Sequence, residues 1–138
     1  DRKQAQLHLQ LLQHRLRHGH RLLFFPEGTS TDGRRVLPFK PTLFQSFLAP
    51  ESPDDLRIQA ITLAFHAPEG EDPRFYGWWG DSDLAQHLLQ SLAYRRHGSV
   101  QVIYHEPVTA SDFADRKSLA RSLHAQVAAA LPWADTAS

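Results

Sequence analysis

Residues 21–35 read RLLFFPEGTSTDGRR, an apolar run that leads into a loop with two glycines. The run RLLFF, residues 21–25, is short, apolar and bounded by a turn, which is typical of a buried strand. Pro26 ends that strand because it has no N–H group to donate to a ladder. We therefore predict a strand whose loop lies at the carboxyl end of a sheet, where α/β proteins bind their ligands.

The loop shares two glycines with a phosphate-binding P-loop, but the residues that follow them exclude that class. A P-loop needs Lys and then Ser or Thr after its second glycine, because the Lys neutralises the phosphates and the hydroxyl binds Mg²⁺. Here Gly33 is followed by Arg34 and Arg35. A nucleotide-binding function is therefore disfavoured.

The composition excludes several other classes of function. The 15 Lys and Arg residues are balanced by 15 Asp and Glu residues, so the basic surface that nucleic-acid binding requires is missing. The chain has no cysteine, which removes disulfides, thiol nucleophiles and zinc–thiolate sites. No apolar run approaches the roughly 18 to 20 residues needed to cross a bilayer. We expect no nucleic-acid partner.

Apolar periodicity and capping residues predict helices that alternate with strands along the rest of the chain. The predicted helices are residues 3 to 18 with Gly19 as the C-terminal cap, Pro41 to Leu48, a third from Asp81 or Ser82 to Arg95 and Arg96, and a last helix that Ser111 caps. In the last helix one side carries Ala120, Leu123, Val127 and Leu131. Further strands are predicted at residues 57–65 and 99–108. This order predicts an α/β fold with a mixed or mostly parallel sheet flanked by helices.

Two features suggest that the chain is a piece of a longer protein. It contains no methionine and opens almost directly in an amphipathic helix. Three strands also make a thin sheet, because sheets of about four to six strands are the most common. We therefore expect a sheet that is incomplete on its amino-terminal side.

The residues FPEGT at 25–29 and PFK at 38–40 resemble the third motif of the glycerolipid acyltransferases, the lysophosphatidic-acid acyltransferase family. The usual form of that motif is Phe-Pro-Glu-Gly-Thr-Arg-Ser, followed some residues later by Pro-Phe-Lys. The remaining segments follow the order seen in bacterial members, including those that acylate lyso-ornithine lipid. The resemblance implies that residues 1–138 form the carboxyl-terminal part of a single acyltransferase domain.

The resemblance also implies a reaction, its partners and a location. The longer protein would transfer a fatty acyl group from acyl-CoA or acyl carrier protein to a lysolipid hydroxyl, such as that of 1-acylglycerol-3-phosphate, without a metal or cofactor. It would work at the membrane surface on the cytoplasmic face of the inner membrane, peripherally or through an anchor in the missing amino-terminal segment. The implied acceptor-binding residues are Phe25, Pro26, Glu27, Gly28, Thr29 and Ser30, with Arg34 and Lys40 as secondary candidates.

The chemistry of the loop agrees with acceptor binding but leaves another interpretation open. The carboxylate of Glu27 can accept hydrogen bonds from substrate hydroxyls, and the absence of a side chain at Gly28 lets a ligand approach the backbone. Alternatively, Glu27 and Thr29 only fasten a tight turn. A non-catalytic α/β domain that binds a lipid or a protein partner is the alternative function.

The sequence departs from the family pattern in two places. Ser30 replaces an Arg that the resemblance implies binds the phosphate of the acceptor. Either another cation replaces that Arg, with Arg34, Arg35 and Lys40 as candidates, or the head group is not a phosphate monoester, which would suit lyso-ornithine lipid.

The second departure is the missing catalytic motif. In this family a His followed by Asp five positions later deprotonates the acceptor hydroxyl, and none of the nine histidines has an Asp at that position. We therefore expect the catalytic pair upstream of this chain, no catalytic residue within it, and no transferase activity from the chain alone.

Two other groups of residues have compositions that can form sites. His14 and His18 are four residues apart on a predicted helix, but a metal site needs a third ligand at a fixed spacing. The aromatic residues Phe75, Tyr76, Trp78 and Trp79 suit either a membrane interface or packing on a core.

Overall fold

The computed structural model describes residues 2–50, 52–78 and 84–133. The elements are α1 (Arg2–Arg17), a long 3₁₀ helix (Pro41–Leu48), β1 (Arg57–Ile58), β2 (Ile61–His66), α2 (Leu84–Ala93), β3 (Ser99–Tyr104), β4 (Val108–Thr109), a short 3₁₀ helix (Ala110–Asp112) and α3 (Arg116–Ala129). Helices and strands are therefore mixed, which confirms the α/β composition of the fold.

The strands form two ladders, and both are antiparallel. Strand β1 pairs with β4, and β2 pairs with β3 in the register Ile61 to Tyr104 through His66 to Ser99. The parallel pairing predicted from the sequence is not confirmed. Because β3 starts opposite the end of β2, the intervening segment with α2 returns to the same end of the ladder, whereas a parallel pair needs a crossover to the other end.

The predicted strand at residues 21–25 is wrong, because the structure has no strand there. Leu23 and Phe25 are 79% and 69% exposed. A strand needs a partner for its backbone groups, and among the described residues β1 pairs only with β4 and β2 only with β3. Leu22 and Phe24 are half-buried, and the ring centroid of Phe24 lies 5.5 Å from that of Phe44 and 5.4 Å from that of Phe47.

The helix ends depend on local hydrogen bonds. The predicted end of α1 is confirmed, since Gly19 has φ +73° and the N–H of His20 donates to the carbonyl of Arg15 at 3.1 Å.

The predicted cap of the last helix, Ser111, is wrong, because Ser111 lies in the short 3₁₀ helix. Asp115 caps α3 instead, since its carboxylate accepts the N–H groups of Lys117 and Ser118 at 2.9 and 2.7 Å. The predicted caps of α2, Asp81 and Ser82, lie outside the described residues.

The chain divides into two compact units. The first comprises Asp1–Gly28, Pro38–Gln59 and Glu106–His124. Its buried apolar residues come mainly from the long 3₁₀ helix and from α3, and they are Phe44, Phe47, Ala110, Leu119, Ala120 and Leu123. The short helix predicted from Pro41 to Leu48 is therefore confirmed, with 3₁₀ geometry.

The second unit comprises Thr29–Leu37, Ala60–His105 and Ala125–Ser138. On the buried side of the ladder of β2, Thr62 and Ala64 are both 0% exposed. The hydroxyl of Thr62 donates to the carbonyl of Val127 at 3.1 Å and lies 2.8 Å from Nε2 of His105. This contact ties the strand to the end of α3 that belongs to the same unit.

The opposite side of the same ladder is apolar and largely exposed, and we call it the outer ladder face. Its residues face each other in the pairs Ile61 with Tyr104, Leu63 with Val102, and Phe65 with Val100. The exposed fractions of these side chains range from 38% at Leu63 to 66% at Tyr104, apart from the half-buried Ile61.

None of the described helices is both long enough and apolar enough to cross a membrane.

Candidate functional site

The two parts of the sequence motif meet in the first unit. The N–H of Gly28 donates to the carbonyl of Phe25 at 3.2 Å, which closes a tight turn over FPEG. The N–H of Lys40 donates to the carbonyl of Pro26 at 2.9 Å. This hydrogen bond joins the FPEG turn to the Pro-Phe-Lys segment, although Pro26 and Lys40 are fourteen residues apart in the sequence.

Gly28 is required by its backbone angle and by its neighbour. Its φ of +70° lies in the left-handed region that side chains rarely adopt. A Cβ atom at this position would lie 2.6 Å from Nζ of Lys40 and 3.0 Å from Cε. The sequence predicted that the bare glycine lets a ligand approach, and in the structure the approaching group is the Lys40 ammonium.

The remaining predicted residues of the first unit surround this turn. Pro26 and Glu27 are half-buried, while Phe25 and Lys40 are exposed. The turn therefore brings together the carboxylate of Glu27, the exposed ring of Phe25 and the ammonium of its hydrogen-bond partner Lys40. Such a set can hold a polar head group, and an apolar chain can lie against the ring.

A groove of about 360 Å³ begins beside the same motif. One wall consists of Pro38, Phe39 and Pro41, and the other consists of α3 and its cap, namely Asp115, Lys117, Ala120, Arg121 and His124. The ring of Phe39 packs on the edge of the His124 ring at 5.4 Å. Sequence reasoning missed Lys117 and Arg121, the two cationic side chains of this wall, because only the position of α3 shows that they face the motif.

Thr29 and Ser30 belong to the second unit, where they are exposed and precede a loop with internal hydrogen bonds. The hydroxyl of Thr31 accepts the N–H of Gly33 at 3.1 Å, and the carboxylate of Asp32 accepts the N–H of Arg34 at 3.1 Å. Gly33 has φ +74°. Thr and Asp before Gly are typical of such turns, so this signal was present in the sequence although no role was predicted from it.

Arg34 is half-buried and is held by Trp133. The guanidinium carbon lies 3.8 Å from the centroid of the Trp133 ring. The indole Nε1–H also donates to the carbonyl of Arg34 at 2.8 Å. Sequence reasoning missed Trp133, which is separated from Arg34 by 99 residues and belongs to no recognisable motif.

An exposed ion pair of the second unit lies within electrostatic range of the same loop. Arg74 donates from Nε to Oδ1 of Asp72 at 3.1 Å and from Nη2 to Oδ2 at 2.9 Å. These hydrogen bonds are the main reason that the pKa of Asp72 is lowered to about 2, and the charge of Arg34 adds a smaller contribution. The carboxylate of Asp72 is therefore already engaged by a bidentate partner.

The aromatic loop is packed as far as the structure describes it. The rings of Phe75 and Tyr76 meet edge to face at 4.9 Å, and the hydroxyl of Tyr76 accepts the N–H of Gly98 at 2.8 Å. Phe75 also packs against Tyr94 at 5.1 Å. These contacts favour internal packing over a membrane interface for Phe75 and Tyr76, and Trp79 lies outside the described residues.

The histidines of α1 interact with each other. Their rings stack at 4.2 Å, and Nδ1 of His18 donates to the carbonyl of His14 at 2.7 Å. In residues 2–50, 52–78 and 84–133 no group of three or more His, Cys, Asp or Glu side chains is arranged to hold a metal ion. The spacing of these histidines is thus explained by the helix alone.

Comparison with known proteins places the motif in a family. The profile of the family described as Acyltransferase matches residues 1–66. The chain is 50% identical over 127 residues to the lyso-ornithine lipid O-acyltransferase of Rhodobacter capsulatus, covering 92% of this chain and 46% of that protein.

More distant relatives carry the same name. The chain is 34% identical over 130 residues to the lyso-ornithine lipid O-acyltransferase of Brucella abortus, covering 87% of this chain and 48% of that protein. The chain thus spans about half the length of the curated relatives it matches. No solved structure shows significant similarity to it. The matching profile and the shared identity over most of its length show that the chain belongs to the acyltransferase family.

Proposed function

We propose that the whole protein is an acyltransferase that moves a fatty acyl group from a thioester donor, acyl-CoA or acyl carrier protein, to the hydroxyl of lyso-ornithine lipid. The structural observation that carries the proposal is the junction of the FPEG turn with the Pro-Phe-Lys segment. Lys40 makes this junction twice, through its N–H to Pro26 and through its side chain over Gly28. The names of the relatives support the reaction and the acceptor.

Ser30 supports the choice of acceptor. A phosphate monoester carries close to two negative charges at neutral pH and is best held by a fixed guanidinium fork. The family's Arg is absent at position 30 of this chain, so 1-acylglycerol-3-phosphate is the less suitable acceptor. The carboxylate of an ornithine head group carries one negative charge and so needs fewer cationic partners than a phosphate monoester.

The chemical step needs a base, which we place upstream of this chain because its sequence has no His followed by Asp five positions later. In the whole protein an upstream His would take the proton of the acceptor hydroxyl, and its Asp would hold the imidazole in the right tautomer. The hydroxyl oxygen would then attack the thioester carbonyl, and the thiol would leave with a proton. In this scheme Glu27, Gly28 and Lys40 belong to the wall that seats the acceptor, and none of them transfers the acyl group.

The location follows from the substrate. A lysolipid acceptor resides in a membrane, so we propose that the protein works at the cytoplasmic face of the inner membrane.

We also propose that the whole protein extends the sheet, with parallel neighbours among the added strands. Support comes from residues 21–25, whose sequence is typical of a strand and whose side chains Leu23 and Phe25 are exposed.

The experiment uses the purified whole protein with acyl-CoA or acyl carrier protein and vesicles that contain lyso-ornithine lipid. Release of free thiol and formation of the diacyl product measure the reaction. We expect Glu27→Gln to lower kcat/KM at least about tenfold, because removing a charged hydrogen-bond partner in a site costs about 1.5–3 kcal/mol. The matched control is Glu69→Gln, which changes an exposed carboxylate.

Two results would contradict the proposal. One is a whole protein that releases no thiol in the presence of lyso-ornithine lipid. The other is a Glu27→Gln variant that is as active as the Glu69→Gln control. A separate test concerns residues 1–138 alone, which we expect to be inactive, so thiol release above background from this chain would show that the base is not required.

A further inference from the structure

We propose that the groove between the Pro-Phe-Lys segment and α3 binds the 4′-phosphopantetheine arm of the acyl donor, and that Arg121 and Lys117 hold its phosphate. This arm is common to acyl-CoA and acyl carrier protein, so one site serves either donor. The inference rests on the proposed function, since it concerns the donor of that reaction. It assigns a ligand to a groove whose lining includes neither Glu27, Gly28 nor Lys40.

The two walls of the groove differ in chemistry. On one side Pro38 and Pro41 flank the ring of Phe39, and the prolines have no N–H group to offer a ligand. On the other side Lys117 and Arg121 are exposed cations. They are four residues apart on α3 and therefore lie on the same side of that helix. A ligand that fills the groove must combine an apolar group with an anion a short distance away.

Arg121 is available to bind an anion. Its neighbour on the helix, Arg116, already donates from Nη1 to Oε1 of Gln45 at 2.5 Å. Within the part of the chain that the structure describes, no hydrogen bond or ion pair holds the guanidinium of Arg121. Its N–H donors lie in one plane and suit the oxygens of a phosphate.

Asp115 determines which end of the groove the phosphate occupies. Its carboxylate lines the groove where α3 begins and accepts the N–H groups of Lys117 and Ser118. A phosphate beside this carboxylate would be repelled, because both groups are negatively charged. With a rise of about 1.5 Å per residue, Arg121 is about 9 Å further along the helix axis. The phosphate is therefore held at the Arg121 end, with Lys117 as the second cation.

The 4′-phosphopantetheine arm has the required combination of groups. A carbon with two methyl groups is separated from the phosphate by a single CH₂–O link. The methyl groups can lie against Pro38 and Phe39 while the phosphate accepts hydrogen bonds from the opposite wall. The groove volume of about 360 Å³ lies in the range of about 300–1,000 Å³ that is typical of small-molecule sites. A glycerol phosphate has a hydroxyl group where the arm has methyl groups, so it fits the apolar wall less well.

The Pro-Phe-Lys segment joins this groove to the acceptor side. The N–H of Lys40 donates to Pro26, and the backbone of Lys40 is extended, with φ −76° and ψ 109°. Successive side chains of an extended backbone point to opposite sides. Phe39 accordingly packs on His124 of α3, while the Lys40 ammonium lies over Gly28. One segment of the first unit therefore has a donor side and an acceptor side.

The first test measures binding to the purified whole protein by isothermal titration calorimetry. The ligands are 4′-phosphopantetheine and pantetheine, which lacks the phosphate. We expect the wild-type protein to bind the phosphorylated ligand at least about tenfold more tightly, because charge-assisted hydrogen bonds are the strong ones. Arg121→Gln should remove most of this preference, and Arg121→Lys should keep part of it. Arg57→Gln, at an exposed position of the first unit, is the matched control and should keep all of it.

The second test measures kinetics and separates the possible sources of the phosphate. Arg121→Gln should raise KM for acyl-CoA and for acyl carrier protein, and it should leave KM for lyso-ornithine lipid unchanged. A rise for acyl carrier protein alone would show that the surface docks the carrier protein and not its arm. A rise for the lipid alone would place the acceptor in the groove. Either result overturns the inference.

The binding measurements distinguish this inference from the proposed function. A wild-type protein that binds 4′-phosphopantetheine and pantetheine equally well would overturn the inference alone, whatever the variants do. The same holds if Arg121→Gln keeps the full preference, or if it weakens binding only to vesicles of anionic phospholipid. A wild-type protein that shows the expected preference but releases no thiol would overturn the proposed function and leave the phosphate site standing.

Discussion

At the scale of single residues, Gly28 and Lys40 occupy one small volume in the FPEG turn. The position of the Lys40 side chain leaves no room for a Cβ atom at residue 28. Gly33 has nearly the same backbone angle, but nothing lies within 4 Å of its missing Cβ. The two glycines therefore separate the cost of a left-handed backbone from the cost of a steric contact.

We predict that Gly28→Ala destabilises the chain by about 1–2 kcal/mol through backbone strain, plus a smaller cost because the exposed end of the Lys40 side chain must shift. Gly33→Ala should cost only the strain. Urea unfolding followed by circular dichroism gives both free energies. Equal losses in the two variants would show that Lys40 moves away without cost.

We predict that Thr62→Val destabilises the chain by about 1–3 kcal/mol, because the buried carbonyl of Val127 loses its hydrogen-bond donor while the shape of the side chain is kept. Thr62→Ser keeps the hydroxyl and removes one methyl group, so it should cost about 1 kcal/mol. Thermal unfolding of the two variants measures the difference. The prediction fails if the serine variant is the less stable one.

The pair Asp72–Arg74 predicts a pH dependence. The pKa of Asp72 is lowered from 3.8 to about 2, mainly by hydrogen bonds from Arg74. Because the folded-state pKa is the lower one, the pair stabilises the folded state above pH 3.8, and this contribution is lost as the pH falls toward 2. We expect carboxyl NMR titration to find Asp72 near 2 and Arg74→Gln to raise its pKa toward 3.8, with no change in an Arg95→Gln control.

At the scale of elements, the outer ladder face is the feature that the sequence did not predict. The alternation of Val100, Val102 and Tyr104 with polar neighbours correctly predicted a strand, but such alternation does not say whether the apolar side is covered. These three side chains are 43–66% exposed. Exposed apolar faces of strands promote association.

We therefore predict that Leu63→Thr combined with Val102→Thr makes the isolated chain less prone to aggregate. The two side chains face each other across the ladder, and Thr keeps the preference for a strand. Light scattering during size-exclusion chromatography measures the effect. Gln101→Thr, on the other side of the same strand, is the control and should change nothing. Equal aggregation of the double variant and the parent chain would count against this role of the face.

The elements also show which sequence signals are reliable. Periodicity predicted the buried side of α3 correctly, since Ala120, Leu123, Val127 and Leu131 are 2–8% exposed. The cap was assigned to Ser111 and not to Asp115, because both residue types cap helices and only the observed hydrogen bonds choose between them. The strand predicted at residues 21–25 is absent for a non-local reason, since a strand depends on a partner that its own sequence does not specify.

At the scale of the whole molecule, the charge balance predicts how the chain behaves in solution. With neutral histidines the net charge is zero and the isoelectric point is about 7.3. Proteins are least soluble near zero net charge. We predict a solubility minimum near pH 7.3 and higher solubility at pH 5.5, where histidine gains charge. Polyethylene glycol precipitation measures this, and a lower solubility at pH 5.5 would contradict it.

The candidate site was predictable only where it is contiguous in sequence. The residues of FPEGT and PFK were found from the motif, and the structure joins the two parts through Lys40 and Pro26. The partner of Arg34 is 99 residues away, and the cationic wall of the groove lies on α3. Contacts of this length depend on how the elements pack, so no local pattern predicts them.

The hydrogen bond of Thr62 to Val127 has a consequence for a neighbouring imidazole. A hydroxyl has one proton, and Thr62 gives it to a carbonyl that can only accept. Nε2 of His105, at 2.8 Å, completes the contact when it carries a proton. In that arrangement its half-buried N–H should exchange slowly with solvent, so one nitrogen resonance reports whether strand and helix are joined.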